Sequence, residues 1–171
     1  MITKLFQNRS KLGIRLAAFA LAGMTVLTAS SGAYADVRCR KVEGRYAEHI
    51  VPPPDCTSAY GLCIAGEYRG DVQGNFFGAV TSLTPTAVGE VQLFTSDSTI
   101  HARIGNKEGD LIIKNAGAFQ TAGAGNIVDL QYIVGGTGQF AGASGALRAS
   151  GTFDSATGMG ESSYEGEVCL P

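Results

Sequence analysis

The sequence predicts an all-β fold: an eight-stranded antiparallel up-and-down β-barrel that follows a cleaved export signal. Three observations carry this. From Leu62 onward, apolar and polar residues alternate with a period of two, as in strands with one covered face. Turn signals rich in Gly, Asn, Asp and Pro interrupt that alternation at short intervals. No stretch of helix length carries an apolar stripe at 3.6-residue spacing. The 171 residues, 44% hydrophobic and 16% charged with 24 Gly, suffice for one domain with a real core. They exclude a disordered polyampholyte and a collagen-like repeat.

The first element is the export signal, residues 1–35. Lys4, Arg9, Lys11 and Arg15 precede an apolar run from Leu16 to Leu27, and Ala33-Tyr34-Ala35 supplies a small-x-small cleavage pattern. The apolar run falls well short of the roughly 20 residues a membrane-spanning helix needs, so no membrane span remains after cleavage. Residues 36–171 carry all 15 acids but only nine of the 13 bases, a formal charge of −6. That balance gives no electrostatic reason to bind nucleic acid. The expected address is periplasmic or secreted.

Residues 36–60 read as an irregular arm, because Val51-Pro52-Pro53-Pro54-Asp55 cannot join a sheet ladder. The barrel domain is expected over 61–171. Its strands are Leu62 to Val72, Phe76 to Leu83, Val88 to Thr95, Thr99 to Ile104, Asp110 to Asn115, Ile127 to Val134, Leu147 to Phe153 and Ser162 to Cys169. Gly74-Asn75, Thr84-Pro85, Ser96-Asp97 and Gly105-Asn106 are among the turns between them. Closure removes the edges of such a sheet, and eight strands enclose space for side chains or one small ligand.

Cys39, Cys56, Cys63 and Cys169 all lie beyond the cleavage point. An even count in an oxidising compartment reads as two disulfides. Of the three pairings, the expected one closes a short loop with Cys56–Cys63 and ties the domain's ends together with Cys39–Cys169. Their spacing suits no zinc site, so neither metal nor cofactor is expected.

The run from Ile133 to Gly145 matches a dinucleotide fingerprint in its letters, with Gly136-x-Gly138-x-x-Ala141. The fingerprint requires a long helix after the glycines, and Gly142, Ser144 and Gly145 break one at once. The structural reading is a turn: Gly135 and Gly136 reverse the chain, Thr137 caps a single short helical turn that begins at Gly138, Phe140 points inward and plugs the barrel end, and Gly142 and Gly145 permit the return. The segment Gly135–Phe153, ending Gly145-Ala146-Leu147-Arg148-Ala149-Ser150-Gly151-Thr152-Phe153, resembles the allene oxide cyclase-like barrels. That superfamily also takes in the plant dirigent proteins and small exported bacterial proteins. Gly158-Met159-Gly160-Glu161-Ser162-Ser163-Tyr164-Glu165-Gly166 resembles the closing strand of the bacterial members. The resemblance implies an eight-stranded barrel with a central cavity, often in dimers or trimers. No catalytic residue of the plant enzymes maps onto this chain, so the catalytic residues stay unknown.

Candidate site residues follow from strand parity. Glu67, Arg69 and Asp71 share the face opposite Tyr68 and Val72 and are expected in solvent, as are His101 and Arg103. Asp129 lies on a face with Ile127, Gln131 and Ile133, while Val128, Leu130, Tyr132 and Val134 form the other. Both faces are apolar, so this strand is expected to be covered on both sides, the outer one by an oligomer partner for instance. Asp129 would then be buried, with a raised pKa unless a base such as Arg148 or Lys114 pairs with it. Asp129, Tyr132, Tyr68 and Arg148 are the expected ligand-binding residues. The expected function is non-catalytic binding of a small apolar ligand, or a structural role. The alternatives are a cyclase- or dirigent-like isomerase acting in the barrel, and a homo-oligomeric interaction module seamed along the double-faced strand.

Overall fold

The computed structural model describes residues 37–171; the expected export signal lies outside the described residues. Eight strands run in chain order: β1 (Arg38–Val51), β2 (Cys63–Gly70), β3 (Gln73–Pro85), β4 (Val91–Ile104), β5 (Lys107–Gln120), β6 (Ala124–Gly136), β7 (Ser144–Asp154) and β8 (Met159–Leu170). Each pairs antiparallel with its neighbour in sequence, and β1 pairs with β8, so the sheet closes into a barrel. The expected fold class is what the chain forms.

The strand count agrees with the sequence reading, but its membership differs: Gly74-Asn75 and Thr84-Pro85, expected as turns, lie within β3, and two larger differences fall at β1 and β4. Residues 36–60 are not an irregular arm: β1 occupies most of that range and closes the barrel. Val42, Tyr46 and Ile50 turn inward while Lys41, Glu43, Arg45 and His49 face out, a period of two as regular as any later in the chain. The prolines act only beyond Val51, where the loop to β2 begins. At the second place, Val88 to Thr95 and Thr99 to Ile104 are not separate strands: from Val91 onward both belong to β4, and Val88 to Glu90 fall in the turn before it. Ser96-Asp97 is therefore no turn. Ser96 is buried, and Asp97 faces out, accepting a 2.6 Å bond from Lys114 on β5.

Both expected disulfides are present. Cys39–Cys169 staples β1 to β8 where the barrel closes, and Cys56–Cys63 pins the proline-bearing loop to β2. Among the described residues, no helix is long and apolar enough to cross a membrane.

One end of the barrel is solid. Leu111, Ile104, Leu147, Val72 and Val168 pack around Phe140, which has no exposed surface and plugs that end as expected. Phe140 arrives on a 3₁₀ turn, Gly138–Phe140. Gly135 and Gly136 do not make the reversal but end β6; the bend falls on the residues that follow. There Gly142, at φ +81°, takes a conformation that side chains rarely adopt. Thr137 makes no capping bond to this turn. Its hydroxyl instead donates to Asp110 Oδ2 at 3.0 Å, outside the barrel.

Candidate functional site

Above the plug the interior is hollow. Ile100 and Ile113 belong both to the packed core and to the wall of this space. The free space is ≈ 70 Å³, room for on the order of five water molecules, and the cavity is open at its mouth. Two sets of aromatic rings line it. Tyr46, Tyr68 and Phe76 stand edge to face or tilted at centroid distances of 4.9 to 5.7 Å. Phe94, Phe119 and Phe153 form a second set, with neighbouring centroids 6.1 Å apart. Inward glycines make room for these groups. A methyl at Gly117 would stand 2.6 Å from the Phe94 ring, and one at Gly160 would stand 2.8 Å from Glu48 Oε1.

Polar groups converge in the same cavity, all from inward positions of their strands. Ser98 Oγ on β4 donates to Asn115 Oδ1 on β5 at 2.8 Å. Asn115 Nδ2 donates to Asp129 Oδ2 on β6 at 2.8 Å, and Gln131 Nε2 donates to the same oxygen at 3.1 Å. Tyr68 completes the chain from β2, its hydroxyl donating to Gln131 Oε1 at 2.8 Å. Every donor in this network points along a path that ends on Asp129, which orients both amides and fixes the carboxylate. Asp129 Oδ1 is left buried with no partner.

A second acid shares the cavity. Glu48, from β1, is 7% exposed, and its Oε1 also has no partner. Burial, reinforced by the charge of Asp129, pushes its carboxyl up to about 7. Burial raises Asp129 as well, opposed by the bonds from Asn115 and Gln131. The hydroxyls of Tyr46 and Tyr68 are held well above their ordinary value, chiefly by burial. Among the described residues, no Lys, Arg or His lines the cavity. The only group of potential metal ligands among the described residues is Cys39, Glu167 and Cys169, and its thiols are spent in a disulfide.

Of the four expected ligand-binding residues, the barrel brings Asp129 and Tyr68 together and puts the other two outside. Tyr132 is 56% exposed on the outer face of β6. It sits three residues from Asp129, and an odd spacing along a strand reverses the face. Arg148 is exposed on β7, opposite Glu165 of β8. Lys114 is outside with Asp97. Neutral amides, not a base, therefore partner Asp129. The outer face of β6 is not covered among the described residues, since Val128, Leu130, Tyr132 and Val134 are all exposed. Glu67, Arg69, Asp71, His101 and Arg103 lie in solvent as expected. His101 bonds Asp110 Oδ1 at 2.8 Å, and Thr137 donates to the other carboxylate oxygen.

The sequence reading missed Glu48 and Tyr46 because it took their segment for irregular chain. It also passed over Asn115 as a ligand group, although a polar residue at the inward parity of β5 was the available signal.

No protein-family model and no curated protein sequence matches the chain. Among solved structures it is similar to a pterocarpan synthase dirigent protein, at 14% identity over 80% of this chain and 87% of that one, with a TM-score of 0.35. The barrel assignment rests on the closed strand order itself.

Proposed function

We propose that this protein is an exported binding barrel that holds one small, slender, mainly apolar ligand, with the ligand's polar end directed at Asp129 and Glu48. The observation that carries the reading is the pair of carboxylate oxygens, Asp129 Oδ1 and Glu48 Oε1, buried without partners in a cavity walled by aromatic rings. A buried polar atom without a bond costs on the order of 1–3 kcal/mol, and a ligand donor offsets that cost. Aromatic walls supply affinity and a few convergent polar groups supply orientation. Native mass spectrometry of protein purified under gentle conditions tests this. The expected result is a small-molecule adduct that is lost in Asp129→Asn. An adduct-free barrel whose interior amides do not respond to any small apolar compound in NMR titrations overturns it.

A second reading, an isomerase in the manner the sequence resemblance implies, is favoured by one observation. Glu48 sits near neutrality inside an apolar cavity, where a carboxyl can both give and take a proton. The exposed stripe of Val128, Leu130, Tyr132 and Val134 favours a homo-oligomeric module. Light scattering at high concentration tests it, and a monomer there counts against it.

A further inference from the structure

The cavity holds two acids and nothing to balance them. Asp129 and Glu48 are each more than nine-tenths buried, and among the described residues each has one carboxylate oxygen unpartnered and no cationic side chain lines the space. The donors that do reach Asp129 are neutral amides, and both go to the same oxygen. Beside the acids stand the rings of Tyr46, Tyr68 and Phe76, whose faces attract cations. A group complementary to this arrangement is a positive N–H donor: it supplies charge-assisted bonds to two oxygens, balances buried charge, and meets aromatic faces. A neutral hydroxyl offers one donor and no charge, and a carboxylate is repelled.

We propose that the ligand is a small organic ammonium, a protonated primary or secondary amine on a slender apolar body, bound between Asp129 Oδ1 and Glu48 Oε1. The proposal rests on the reading of the cavity as a ligand site and narrows that reading to one chemical class. The small free space, ≈ 70 Å³, favours a small body over a bulky one.

The test compares three compounds of one shape on the wild-type protein near neutral pH: n-butylammonium, 1-butanol and butyrate. Each is titrated while the side-chain amide signals of Asn115 and Gln131 are followed by NMR. The ammonium is expected to shift those signals and to bind at least about tenfold more tightly than the alcohol, with butyrate weakest. In Asp129→Asn, the ratio of ammonium to alcohol affinity is expected to fall by about the same factor. Alcohol binding that equals or exceeds ammonium binding overturns the cation inference and leaves the binding barrel standing. Failure of all three to shift the amides overturns the cation inference, and the binding barrel falls with it only if the gently purified protein also carries no adduct. The wild-type comparison decides the matter even if the variant does not fold.

Discussion

Glu48 of β1 and Asp129 of β6 face one cavity from strands that are not neighbours, and each keeps a buried carboxylate oxygen without a partner. Two acids held this way make the folded state sensitive to protons. Glu48 has an ordinary value of 4.5 and is raised to about 7 by burial and then by Asp129. The folded chain therefore binds that proton more tightly than the unfolded chain does. This contribution favours folding in full below 4.5 and is lost as pH rises through 7. Its size is on the order of 3 kcal/mol. Urea unfolding at the two edges of this window is expected to show the loss in wild type and a much flatter profile in Glu48→Gln. An unchanged profile in the variant would contradict the burial of Glu48.

Tyr68 anchors the network by donating to Gln131 Oε1. Tyr68→Phe keeps the ring and removes the donor, leaving a buried amide oxygen unsatisfied. The expected cost is about 1–3 kcal/mol in denaturant unfolding, with NMR shifts at Asn115 that report the slackened Asp129. A change confined to Gln131 would show that the bonds do not act as a network.

Phe140 closes the solid end of the barrel. Phe140→Ala leaves a large void among side chains that cannot collapse, and is expected to cost about 3–5 kcal/mol. The cavity at the other end should keep its ligand preference as long as the variant folds. A loss below about 1 kcal/mol would mean that this end repacks freely.

The two disulfides should differ in weight. Cys39–Cys169 spans 130 residues and Cys56–Cys63 only seven. In the chain-entropy account their removal costs about 5 and about 2–3 kcal/mol respectively. Paired Cys→Ser variants, compared by thermal unfolding, check the order. The reverse order would place the main constraint in the proline-bearing loop.

The barrel was legible because alternation with a period of two survives in every strand, and because Gly-bearing turns separate most of them. What misled the reading was local. Pro52 to Pro54 coloured the chain before them, although Tyr46 and Glu48 already alternate with Arg45 and His49. Ser96-Asp97 has turn composition, yet its two side chains serve opposite faces of β4, one buried and one paired with Lys114. Asp129 and Tyr68 could be found from parity alone. Arg148 was sought as a counter-charge for a buried acid. The structure instead satisfies one oxygen of that acid with amides from β5 and β6, a choice that depends on which strands become neighbours across the barrel. Pairing with amides leaves no trace in a single strand's pattern.

β1 carries Glu48 into the barrel interior, where it shares the cavity with Asp129. Titration of the Glu48 carboxyl carbon by NMR tests it most directly. The account predicts a midpoint of about 7 in the wild type and a lower one in Asp129→Asn, where the neighbouring charge is gone. A wild-type midpoint at the ordinary value of 4.5 would place Glu48 in solvent and contradict the account.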